Sequence, residues 1–192
     1  MTTQTDTNGT RPRLSRRLIG WSIPVLLLLV PLAAGAPWTP SDYVVAGALF
    51  AIVGLGIELA VRMSKDIVYR VAAGVAVVTG FLLVWVNIAV GFLGNEENPA
   101  NLMFLGLLGL TLVGALAVRF RASGLARLLV ATAVGQILIG IAAVAFVLGA
   151  SGDRGIYEAV MGTTMFTVLW LAAAWLFAHA ARREAASGNV AA

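Results

Sequence analysis

No cysteine occurs among the 192 residues. That excludes disulfides, thiolate metal sites, iron–sulfur clusters, a cysteine nucleophile and a lipoprotein anchor. Histidine occurs once, as His179, which excludes a bis-histidine haem and a histidine metal cluster. Charge is scarce as well. Only 11% of residues are Asp, Glu, Lys or Arg, against ~25% in soluble domains. Lys65 is the single lysine among 13 basic residues, the rest being arginine. A chain this poor in charge can neither coat a soluble surface nor neutralise a nucleic-acid backbone. What it has instead is apolar bulk, 60% of the residues, with a mean hydropathy of +0.93. The composition excludes a soluble globule and a disordered chain, and points to a polytopic membrane protein. The preference for arginine over lysine suggests a GC-rich bacterial genome, and so the bacterial inner membrane.

Six apolar stretches, at 18–36, 42–61, 68–93, 102–118, 125–149 and 158–180, are separated by charged or Pro/Asn/Gly-rich clusters. Each approaches the ~20 residues that cross ~30 Å of hydrocarbon as a helix. None alternates as a barrel strand does, and in lipid the backbone must pair within each stretch. The expected fold is all-α, a polytopic bundle of six transmembrane helices. Residues 1–17 form a polar basic N-terminal tail, 18–181 the transmembrane domain, and 182–192 a polar C-terminal tail.

Basic residues set the orientation. Arg11, Arg13, Arg16, Arg17, Arg62, Lys65, Arg70, Arg119, Arg121, Arg127, Arg182 and Arg183 fall on one side of a six-span chain, and only Arg154 on the other. Both termini are therefore expected in the cytoplasm. The opposite face carries Asp42, Glu96, Glu97, Asp153 and Glu158. Asp42 and Glu158 are placed to favour the starts of the second and sixth spans, and Asn98-Pro99 reads as an N-cap with Pro at the first helical position. Trp38 and Tyr157 on the outer side, with Trp21 and Tyr69 on the inner, fit interfacial aromatic belts. Arg16-Arg17 before an apolar run, with Ala34-Gly35-Ala36 after it, imitates a cleavable signal, but the stretch reads as an uncleaved first helix. Leu59-Ala60-Val61-Arg62 recurs as Leu116-Ala117-Val118-Arg119, and Arg70 and Arg127 share that offset, so the two hairpins within 42–151 are candidates for a weak duplication.

Polar groups inside the spans are the first places to seek function. Glu58 is the one carboxylate well within a span. It stands four residues before Arg62, the spacing of a helical ion pair. Asn87 lies in the outer third of the third span and Gln136 in the middle of the fifth. The threonines satisfy themselves on their own backbone. Small residues at four-residue spacing, such as Ala76/Gly80 and Ala131/Gly135, suit close helix packing or a homo-oligomer. The segment Asn95-Glu96-Glu97-Asn98-Pro99-Ala100-Asn101 is the most distinctive polar stretch. A pocket bounded by Asn87, Glu97, Asn98 and Asn101 is the candidate site there, with Asn87 expected to face protein and tie the third span to an ordered turn. No base–nucleophile pair, P-loop or metal motif occurs, so no enzyme and no cofactor are expected. The arginines suit anionic lipid headgroups at the cytoplasmic face.

The run from Trp85-Val86-Asn87-Ile88-Ala89-Val90-Gly91 to Asn98-Pro99-Ala100-Asn101, with Trp38-Thr39-Pro40-Ser41-Asp42 and Gly56-Ile57-Glu58-Leu59, resembles an uncharacterised family of small multi-pass bacterial inner-membrane proteins. The resemblance spans roughly 18–150. It implies a multi-pass membrane protein and no activity. Two expectations follow: an accessory, assembly or sensory membrane subunit working through lipid or a membrane-protein partner, or a small transporter or channel with Glu58, Asn87 and Gln136 along its path.

Overall fold

The computed structural model describes residues 21–22 and 25–190. The basic N-terminal tail and the beginning of the first predicted span lie outside those residues. Five helices are labelled here: α1 (Pro40–Met63), α2 (Ile67–Ala89), α3 (Leu102–Ala117, entered through a 3₁₀ turn at Pro99–Asn101), α4 (Ala122–Ala145) and α5 (Asp153–Val190). Each is long and apolar enough to cross a membrane, α3 when its 3₁₀ turn is included. Residues 21–22 and 25–33, within the first predicted span, are helical too. The protein is helical and membrane-embedded, as its composition requires.

Helix starts follow local chemistry. Before α1, the Thr39 amide and hydroxyl both donate to Asp42 Oδ2, at 2.7 and 2.9 Å. Asp42 therefore reaches back to the capping Thr39 across Pro40 and does not itself cap. Asp66 caps α2 by accepting from the Val68 amide at 2.7 Å. Asn98 caps the 3₁₀ turn, with Pro99 following as expected. The last helix departs from expectation at both ends. It begins at Asp153, directly after Gly152 (φ +81°), and continues to Val190. At the C-terminal end the 181–186 stretch is polar, yet its Ala, Arg and Glu propagate a helix readily in water; at the N-terminal end Asp153 stands in the first turn, where its charge favours the helix start. Glu158 consequently lies inside α5, where it accepts from Arg154 at 3.1 Å.

The chain divides into two compact units, Met1–Leu55 and Gly56–Ala192. In the first, Leu28 packs on Gly47, and the Trp21 ring lies where a side chain on Gly54 would stand. In the second, α5 packs along α4 and α2, and α3 leans on α4. Its core holds Tyr69, Leu83, Phe104, Phe166, Trp170 and Phe177, with alanines filling the closest approaches. Glycine sets the spacing where helices touch: a methyl at Gly135 would fall 2.7 Å from Leu107, and one at Gly140 would strike the Thr163 hydroxyl. Gly106 and Gly109 on α3 face open space. Tyr69, expected in an aromatic belt, is instead buried edge-on against Phe177, ring centroids 5.1 Å apart.

Candidate functional site

Glu58 and Arg62 form the ion pair that their spacing predicts, at 2.7 Å in the last turns of α1. Asn87 faces protein, being 4% exposed. The expected tie to the turn is not made through it, however. Its Nδ2 donates to the Leu83 carbonyl at 2.6 Å, one turn back on its own helix, and its Oδ1 has no hydrogen-bond partner. A carbonyl at i−4 is always within reach of a helical amide, and the turn's own side chains have already claimed the turn's backbone.

Those side chains are Asn98 and Asn101. Asn98 Nδ2 donates to the Leu93 and Leu148 carbonyls at 2.8 and 2.6 Å, while its Oδ1 accepts from the Ala100 amide. Asn101 Oδ1 accepts from the Leu93 amide at 2.8 Å, and its Nδ2 donates to the Asn95 carbonyl at 2.7 Å. Beneath them Phe92 packs on Phe104 and Phe166, centroids 4.1 and 5.5 Å apart. The turn is thus ordered, but its amides serve the chain's own backbone, and Glu97 stands in solvent.

Gln136 is 0% exposed in the middle of α4, and neither of its amide atoms has a partner. Gly140, one turn on, abuts Thr163 of α5. Continuing that antiparallel register brings Gln136 level with Thr167 and Ala133 level with Trp170. The Thr163 and Thr167 hydroxyls and the Trp170 indole nitrogen also lack conventional hydrogen bonds. Thr79, Thr111 and Thr132 differ: each donates to the carbonyl one turn back, and Thr111 and Thr132 also meet across α3 and α4 at 2.8 Å. Glu58, Asn87 and Gln136 do not come together. They occupy the end of α1, the end of α2 and the middle of α4.

A cavity that sequence reading missed lies where α3 turns into α4. It has a volume of about 400 Å³ and is lined by Ser64, Tyr69, Arg119, Arg121, Ser123 and Glu184 among others. The turn beside it is strained, with Arg119 and Phe120 both left-handed at φ +54° and +55°. The Tyr69 hydroxyl holds it by donating to the Phe120 carbonyl at 2.8 Å. Neighbouring arginines are committed: Arg62 to Glu58, Arg183 to Asp66, and Arg70 to the carbonyls of Ser64 and Val61. Arg119 and Arg121 form no ion pair with any described residue. Arg121 also occupies the N-cap of α4 without a side-chain cap. In sequence these arginines read as markers of membrane orientation and as general contacts for anionic headgroups, with nothing to gather two of them at one cavity. No Gly, Pro or Asn announces the turn.

No family model matches the chain, and no curated protein or solved structure matches it.

Proposed function

We propose that this is a six-span bacterial inner-membrane protein with both termini in the cytoplasm, of the small multi-pass kind its Trp85–Asn101 segment resembles. It acts without a catalytic site, as an accessory, assembly or sensory subunit working through lipid or a membrane-protein partner. One observation carries this reading. Glu58, the deepest carboxylate in sequence terms, is held by Arg62 at 2.7 Å, Glu158 in the second turn of α5 is held by Arg154 at 3.1 Å, and Glu184 lies beyond the apolar part of α5. Proton- or cation-coupled transport is usually built around ionisable groups inside the bundle. Reconstitution into liposomes tests it: fluxes of protons, Na⁺, K⁺ and small neutral solutes should match those of protein-free vesicles. Reporter fusions at residues 97 and 153 should read as periplasmic, and those at 66, 122 and 190 as cytoplasmic.

The transporter reading has one observation in its favour, the unpartnered Gln136 amide between α4 and α5. A flux abolished by Gln136→Leu in a protein that still folds would replace the accessory reading with that one.

A further inference from the structure

We infer that the cavity at the α3–α4 turn binds the phosphodiester headgroup of an anionic membrane lipid. The inference rests on the membrane placement of α2–α5 and is independent of the accessory role.

The cavity's charge decides the ligand class. Arg119 and Arg121 supply two guanidinium groups without ion-pair partners among the described residues, and Glu184 supplies one carboxylate. The balance of +1 matches a phosphodiester monoanion. Guanidinium is the cation suited to phosphate, because its planar fork gives two parallel hydrogen bonds to two oxygens. Ser64 and Ser123 bring hydroxyls to the wall, and Glu184 can accept from hydroxyls on the headgroup.

Location decides the source. The cavity lies at the ends of the apolar helices, α3 stopping at Ala117 and α4 starting at Ala122, so a headgroup can enter while its acyl chains stay beside them. Leu116 is 63% exposed directly before the turn and offers those chains an apolar flank. The arginines are set on a turn that costs about 1–2 kcal/mol per left-handed residue. The backbone of that turn is held from α2 by Tyr69, so both exposed arginines project from a fixed base at the rim of the cavity.

The test uses the full-length protein in neutral detergent. Retention of added phosphatidylglycerol and phosphatidylethanolamine is read by native mass spectrometry, with glycerol 1-phosphate as the soluble competitor. Phosphatidylglycerol should be retained at least about tenfold better by the wild type than by Arg119→Gln/Arg121→Gln, the loss expected from removing two charge-assisted contacts. Arg127→Gln/Arg182→Gln removes the same charge elsewhere at this end and should retain lipid as the wild type does. Arg119→Lys/Arg121→Lys keeps charge but loses the fork, so retention should be intermediate; this pair serves if the glutamine variant does not fold. Equal retention by wild type and the Arg119/Arg121 variants overturns the site. An equal loss in the Arg127/Arg182 variant overturns it in favour of general attraction to a basic surface. Equal retention of phosphatidylethanolamine overturns the anionic assignment. Displacement by glycerol 1-phosphate at concentrations similar to the lipid's shows a soluble phosphate ester to be the occupant and overturns the lipid assignment. Ion flux in liposomes with lipid retention intact would sink the accessory reading and leave this inference standing.

Discussion

On leaving α2 the chain turns through Gly91 and Gly94, at φ +74° and +80°. On leaving α3 it turns through Arg119 and Phe120, at +54° and +55°. Both connections need left-handed backbone. The first uses residues for which that conformation costs nothing, and side-chain amides from inside the turn satisfy its polar groups. The second uses residues for which it costs about 1–2 kcal/mol each, and a hydroxyl from another helix satisfies its carbonyl. The first connection spends its side-chain amides on backbone, its own and that of Leu148, and has nothing left to bind with. A strained connection propped from outside keeps two guanidinium groups available. The better-looking turn is therefore scaffold, and the worse-looking one borders the cavity.

This contrast fixes an order of mutational effects. Gly91→Ala should cost most. A methyl there would run into the Asn95 carbonyl on top of the left-handed backbone penalty, so a loss of about 3 kcal/mol is expected. Unfolding in mixed micelles titrated with SDS measures it, and a loss below about 1 kcal/mol would mean that the turn relaxes freely. Asn98→Ala comes next. It removes two donated hydrogen bonds and a cap, worth about 2 kcal/mol together in the same titration. Asn98→Asp should recover the cap alone. Tyr69→Phe should cost least, about 1 kcal/mol for the stranded Phe120 carbonyl. It should nevertheless weaken phosphatidylglycerol retention, which Asn98→Ala should leave unchanged. An Asn98→Ala variant that lost lipid as Tyr69→Phe does would dissolve the distinction between the two turns.

Hydropathy and short-range spacing made much of the architecture legible. Apolar length marked five helices that the structure describes, Asn98-Pro99 marked a cap, and four-residue spacing marked the Glu58–Arg62 pair. Information that depends on a distant neighbour was not legible. An aromatic residue at a helix end looks the same in sequence whether it meets lipid or another helix, so sequence alone places Tyr69 in the belt. Asn87 had a local carbonyl as accessible as any distant partner. The C-terminal end of α5 carries helix propensity without hydropathy, and a span detected by hydropathy alone stops short of it. The offset that aligns Arg70 with Arg127 is not matched by their bonding: Arg70 holds the end of the preceding helix, whereas Arg127 donates to Ser123 of its own. The cavity was hidden because its turn contains none of the residues that usually announce one.

The two long-range ties also set a timetable for assembly. Tyr69 to Phe120 spans 51 residues of chain, and Asn98 to Leu148 spans 50. At ~5–20 residues per second of synthesis, each acceptor is made about 3–10 s after its donor. The phenol of α2 must wait for α3 to be inserted and its exit turn completed. The amide of Asn98 must then wait for α4 to cross back. Closure therefore proceeds in two latching events, in chain order, one at each rim. A chain whose synthesis stops before residue 120 cannot close the first latch.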